Sequence, residues 1–299
     1  MFCSQESTEP KPSIVSASFT IENHFLRIGV YVLLFLTAFG QIWGVIRTAT
    51  AQAVNLRLVG SWREVSPDGI SRGVALSEQY ALLASGTVGL QVIDISDPTN
   101  PVRVGGYDTR GGGQDVAVSG KHAFVADGLG LEVIDISDPF DPVLVGSLKT
   151  SGFAVSVAVA GNYAYVAEHT NVTQFIHGLQ VIDISDPAHP VPLGRYKTNG
   201  RVGSVAVSGN HAYIGEWNSP TILTSDDRLI EGRVNGLRVI DISDPKNLTL
   251  VGSYKTPGGY AKVLGAFDDF VFVWDFATTD PEAYNGLMMM IDISDPAKP

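Results

Sequence analysis

Six residues, Ile-Asp-Ile-Ser-Asp-Pro, occur five times in this chain, starting at positions 93, 134, 182, 240 and 291. A catalytic constellation is needed once, so five copies of one phrase point to architecture, with function expected where the copies differ. The copies are spaced by 41, 48, 58 and 51 residues, a period that belongs to solenoids and propellers. Each unit divides into the same four pieces. In the second unit they are Pro-Val-Arg-Val-Gly-Gly-Tyr (101–107), Asp-Val-Ala-Val-Ser-Gly (115–120), His-Ala-Phe-Val-Ala-Asp-Gly (122–128) and Leu-Glu-Val-Ile-Asp-Ile-Ser (131–137). Every piece is short, rich in Val or Ile, and bounded by Gly, Pro or Asp, which is the signature of strands. From residue 54 onward no stretch holds a helical period between caps.

Gly120, Gly161 and Gly209 fall in tight junctions between the second and third pieces and are expected to take positive φ in hairpin turns. Val116 and Val118 align with Val157 and Val159 and with Val205 and Val207, around Ala117, Ala158 and Ala206. Large residues on one face and small ones on the other suit an inner strand covered on both sides by packed sheets. The expected fold is therefore all-β, a β-propeller of about five four-stranded blades over residues 54–299. In the repeated phrase Val92, Ile93 and Ile95 hold a strand, and Ser96, Asp97 and Pro98 end it. The carboxylates of Asp94, Asp135, Asp183, Asp241 and Asp292 are expected to be satisfied inside that turn, since buried polar groups usually find a local partner. A metal site repeated in every unit is the rival reading.

The repeat begins with Leu-Arg-Leu-Val-Gly-Ser-Trp (56–62), an outer-strand pattern, and the sequence ends on Ile-Asp-Ile-Ser-Asp-Pro-Ala-Lys-Pro. Strand 56–62 could complete the last blade and close the ring; a fragment of a larger propeller is the alternative.

Ahead of the repeat, residues 28–46 are apolar apart from Gln41 and lead to an Ala51-x-Ala53 pattern. They read as an export signal cleaved after Ala53. An uncleaved anchor stays open, because a helix of that length rises about 28 Å, near the thickness of a bilayer core, and residues 1–27 are long for a signal and not net basic. Either way the segment 54–299 is expected outside the cytoplasm, periplasmic, at the cell surface or secreted, touching a membrane only through 28–46. Cys3 is the single cysteine, which excludes an intrachain disulfide and a thiolate metal cluster. The net charge of −11 comes without a basic stripe, which argues against a nucleic-acid partner.

The phrase Leu-x-Val-Ile-Asp-Ile-Ser-Asp-Pro, followed by Pro-Val-x-Val-Gly-x-Tyr, resembles the LVIVD-repeat family across residues 56–299. The resemblance implies an extracytoplasmic β-propeller of the kind found at bacterial surfaces and in larger secreted chains. It carries no catalytic residue.

Function in a propeller usually sits in the loops that vary. The third piece of the successive units ends at Ser85, Asp127, Glu168, Glu216 and Asp275, and the loop after it has 3, 2, 9, 19 and 10 residues before the next Gly-Leu. Three successive units thus carry insertions on one face, called the top. Candidate binding residues there are Asp127, Glu168, His169, His177, Glu216, Trp217, Asp275 and Tyr284, an aromatic and charged mix suited to recognition. The loops could equally be tolerated drift, and a carboxylate at a strand end can accept N–H bonds from its own loop. Calcium, which wants six or more oxygens, is the one cofactor considered, and none is assigned. His169 and His177 with Glu168 could hold a metal, on a spacing that is not specific. Gly-Ile-Ser-Arg-Gly around Ser71 matches a nucleophile pattern but leads into an inner strand rather than a helix, so it is set aside. Asn171 and Asn247 fit the glycosylation acceptor pattern. The expectation is an exported scaffold or interaction module that binds a protein or glycan at the cell envelope. The alternative is an extracytoplasmic hydrolase or lyase with a metal-assisted site at the mouth of the central channel.

Overall fold

Short β-branched runs cut by Gly, Asp and Pro cannot sustain helices, and the chain folds accordingly. The computed structural model describes residues 59, 61, 70–170, 177–217, 236–277 and 286–299, and among these only strands, turns and bends are found. The first unit holds β1 (Ser71–Ser77), β2 (Tyr80–Ser85), β3 (Gly89–Asp94) and β4 (Val102–Tyr107). The second holds β5 (Asp115–Ser119), β6 (His122–Ala126), β7 (Gly128–Asp135) and the first half of β8 (Val143–Ala160). The third takes the rest of β8 with β9 (Tyr163–His169), β10 (Gly178–Asp183) and β11 (Val191–Lys197). The fourth is β12 (Arg201–Ser208), β13 (His211–Trp217), β14 (Gly236–Asp241) and β15 (Thr249–Lys255). The fifth shows β16 (Gly259–Phe267), β17 (Phe270–Ala277) and β18 (Gly286–Asp292).

Each unit is an antiparallel meander, and neighbouring units are stitched at the top. Gly86 bridges to Gly113, Gly128 pairs with Ala154 through the long β8, and Trp217 pairs with Tyr260. A second tie lies deeper, on the inner strands. The Asp115 carboxylate accepts from Ser156 Oγ at 2.6 Å and Val157 N at 3.0 Å, Ser156 Oγ from Val205 N at 3.2 Å, and Ser204 Oγ from Val263 N at 2.7 Å.

The repeated phrase is explained by what each side chain faces. Leu131 and Val133 pack toward the third unit and Ile134 toward the first; Leu179 and Val181 pack toward the fourth and Ile182 toward the second. Leu237, Val239 and Ile240 repeat this one unit further on. Four apolar clusters result, each shared by two consecutive units, so the three middle units are sandwiched and stability is built from neighbour interfaces. The inner strands show the alternation expected of them: Val157 and Val159 join the cluster shared with the second unit, and Ala158 the one shared with the fourth. One further contact sets the spacing. A Cβ on Gly105, Gly146, Gly194 or Gly252 in an outer strand would strike the carbonyl of Pro139, Pro187, Pro245 or Pro296 in the next unit's turn.

The hairpin glycines have the expected conformation, with φ of 56°, 55° and 55° at Gly120, Gly161 and Gly209. Glu78 and Asp268 occupy the same hairpin position in the first and fifth units with φ of 50° and 46°.

Inner strands pack in the order β1, β5, β8, β12, β16, and β16 makes no comparable packing with β1 among the described residues. The two end units are accordingly more open, with Leu76, Phe267 and Met290 exposed. Among the described residues β18 pairs only with β17. The candidate closing strand 56–62 lies largely outside the described residues, as do segment 28–46 and the Ala51-x-Ala53 pattern.

Candidate functional site

The top of the second to fifth units is organised by an acid near the end of the second strand. Asp127, Glu168, Glu216 and Asp275 are all 3 % exposed or less. Their carboxylates turn inward and reach back to the start of the same unit's inner strand. Asp127 Oδ2 accepts from Gly111 N at 3.1 Å, Glu168 Oε2 from Gly152 N at 2.6 Å, and Glu216 Oε1 from Gly200 N at 2.6 Å; Asp275 receives Gly258 N. Asp127 also takes the N–H groups of Leu129 and Gly130. Two acids meet an arginine as well: Arg195 Nη1 is 2.7 Å from Glu168 Oε1, and Arg238 Nε donates to Glu216. Burial pushes the Glu168 carboxyl up, against the Gly152 N–H and the Arg195 charge that pull it down. Four acids placed this way hold backbone; they offer little free carboxylate to a ligand.

What reaches the surface is the next residue along. Phe153 pairs across from His169, Arg201 from Trp217, and Tyr260 from Phe276. These pairs adjoin one another at the top of the third, fourth and fifth units. Ring centroids are 6.1 Å apart for Phe153–His169, 5.6 Å for His169–Trp217, 4.5 Å for Trp217–Tyr260 and 5.4 Å for Tyr260–Phe276. The result is one continuous aromatic row with Arg201 beside it. The corresponding positions of the first two units are Gly86 and Gly128, so the face has an aromatic side and a glycine side.

His169 stacks in this row, and its Nδ1 lies 3.2 Å from the Val202 carbonyl. Burial lowers its pKa, ahead of the opposing effect of that carbonyl. His177 is 3 % exposed, its Nδ1 accepts from Thr170 N at 3.3 Å, and burial, His169 and two arginines bring its pKa to about 4. Both imidazoles are neutral at neutral pH. No group of three or more His, Cys, Asp or Glu side chains gathers to hold a metal among the described residues. Tyr284 and most of loops 169–177, 217–235 and 276–285 lie outside the described residues. Of the sequence candidates, His169 and Trp217 meet in the row, while the four acids and His177 are buried. Phe153, Tyr260 and the inner-strand Asp115 were not singled out from sequence. The available signal was the place of Phe153 and Tyr260 just after a glycine, and of Asp115 just before the Val-Ala-Val run, where the next two units have Ser156 and Ser204.

At the other end, Asp94, Asp135, Asp183, Asp241 and Asp292 each accept the N–H of the serine two residues on, at 2.8–2.9 Å. That bond is the main cause of the lowered pKa at Asp94, Asp183, Asp241 and Asp292, and the Ser137 contacts do the same at Asp135. Ile95, Ile136, Ile184, Ile242 and Ile293 bond through their N–H to the hairpin beside them.

The LVIVD-repeat family model matches six segments, residues 68–109, 110–150, 151–198, 199–223, 232–256 and 258–299. This chain belongs to the LVIVD-repeat family. The matches at 199–223 and 232–256 hold β12–β13 and β14–β15, the two halves of one unit parted by its long top loop. No curated protein matches the chain. Among solved structures it is similar to the computationally designed protein Ika8, with 13 % identity, a TM-score of 0.46 and coverage of 73 % of this chain and 70 % of that one. It is also similar to the computationally designed Ika4, with 12 % identity, a TM-score of 0.42 and coverage of 55 % and 93 %.

Proposed function

We propose that this LVIVD-repeat protein is an exported binding module that holds a protein or glycan partner against the aromatic side of its top face. The observation that carries the reading is the unbroken row from Phe153 to Phe276, built by three consecutive units at the positions where copies differ most. Half-buried rings held by a rigid scaffold give contact area at little entropic cost, and aromatic and arginine side chains dominate binding hot spots. Export rests on the apolar run 28–46 and the small residues at 51 and 53. In the same reading strand 56–62 pairs with the free edge of β18 and closes five blades into a propeller. A hydrolase at the channel mouth has less support, because all four top acids are buried and hold backbone N–H groups, and two of them also meet an arginine.

The test is a crosslinking capture from the native cell envelope, run with the full chain and with a Trp217→Ala, Tyr260→Ala variant, beside a glycan array. Loss of one captured partner or glycan in a variant that melts like the parent supports the reading. Equal capture by both moves the binding site off the row.

A further inference from the structure

The second unit departs from its neighbours at one spot between its third and fourth strands. There β10 and β11 set Gln180 against Arg195, β14 and β15 set Arg238 against Ser253, and β7 and β8 set Glu132 against Ser147. In the third and fourth units the arginine is 18 % and 10 % exposed and sits on that unit's top acid. The second unit keeps the acid, Asp127, adds another in Glu132, and has no arginine on these strands. What it has instead is a cleft of about 160 Å³ lined by Arg110, Asp127, Leu129, Glu132, Ser147 and Lys149.

The Glu132 side chain is 2 % exposed. Its Oε1 accepts from Arg110 Nε at 2.7 Å, and its Oε2 is buried without a hydrogen-bond partner. Arg110 comes from the connection between β4 and β5 with 58 % of its side chain in solvent, so it holds the carboxylate from the mouth and does not fill the cleft. A buried carboxylate oxygen without a donor is costly. A planar guanidinium matches that need, since it can present paired N–H donors to one carboxylate in a way an ammonium cannot.

We propose that this cleft is a guanidinium site that takes the arginine side chain of a peptide partner, in the place where the next two units put an arginine of their own. The site stands on its own residues and does not depend on the aromatic row, so its test uses a small probe.

The full-length chain in a non-ionic detergent is titrated with N-acetyl-arginine amide and, separately, with the lysine and glutamine amides, read by calorimetry. The arginine amide is expected to bind saturably and more tightly than the other two. Ser147→Arg supplies a guanidinium from the third unit's position and is expected to weaken the probe at least about tenfold by occupying the site, as is Glu132→Gln by removing the charged acceptor. Arg110→Ala empties the mouth and is expected to tighten binding. Thermal melts show which variants fold, and Glu132→Gln decides if Ser147→Arg does not. No saturable binding to the wild type, equal binding of the glutamine amide, or unchanged affinity in the folded variants would overturn the site.

Discussion

At the bottom of each unit an aspartate closes its own turn by taking the N–H two residues on; at the top of the last four units an acid reaches back sixteen or seventeen residues to hold the start of the inner strand. Both are carboxylates receiving backbone N–H groups, but one set is solvated and the other buried. The difference in reach explains the difference in sequence. A turn that satisfies itself within six residues can be copied letter for letter, and it is, five times. A bond that crosses between strands tolerates Asp or Glu, with or without an arginine behind it, and its residues drift apart. The largest test of the contrast is Glu216→Ala, which leaves Arg238 buried and unpaired and frees Gly200 N. It should cost about 3–5 kcal/mol in chemical unfolding. Asp241→Ala should lower the melting temperature far less. Comparable losses would erase the distinction between the two ends.

The bottom turns are more than solvated decoration, because their prolines dock on the preceding unit. Gly194→Ala drives a Cβ into the Pro245 carbonyl and is expected to cost about 1–3 kcal/mol by overpacking. Gly209 has nothing within 4 Å of a Cβ and only a φ of 55° to satisfy. Asparagine visits that region readily, so Gly209→Asn should cost about 1 kcal/mol or less. Equal costs would mean that the unit-to-unit joint lies elsewhere.

Acid separates the two ends by pH window. His177 has a folded pKa of about 4, below the unfolded value near 6.5. Its contribution is complete above about 6.5 and is lost as pH falls toward about 4, where the unfolded chain binds the proton first. Glu168, with a raised pKa, works in the opposite direction as it protonates. The turn aspartates have lowered values, so their contribution is intact above 3.8 and fades only below it. The melting temperature should fall in two stages, and His177→Gln should shrink the upper one, which His169 shares through its own lowered pKa. A single stage below 3.8 would mean that His177 is not buried as described.

Fold and site were legible to different depths for physical reasons. Periodicity exposed the four strands per unit and the hairpin glycines, because a two-residue alternation buried on both faces leaves few choices at Leu131, Val133 and Ile134. The turn chemistry was readable because its partners are adjacent in sequence. The top face was not. Glu168 and Glu216 were marked as binding candidates from their strand-end position, and nothing local reveals that the N–H groups of Gly152 and Gly200, sixteen residues earlier, donate to them. Trp217 meets His169 and Tyr260 only once the units are placed side by side, so no single unit holds more than two rings of the row.

The smallest test asks how far the repeat constrains a position where its sequence fails. Glu78 sits where three other units have glycine, at φ of 50°. A side chain in the left-handed region costs roughly 1–2 kcal/mol, while glycine gives back about 0.4–1 kcal/mol through the unfolded chain. Glu78→Gly should therefore stabilise by a few tenths to about 1 kcal/mol, and Asp268→Gly by less, because aspartate tolerates this region better. Destabilisation by Glu78→Gly would show that the glutamate makes a bottom-end contact that repays its strain, and the first unit's hairpin would then differ from its neighbours for a functional reason rather than by drift.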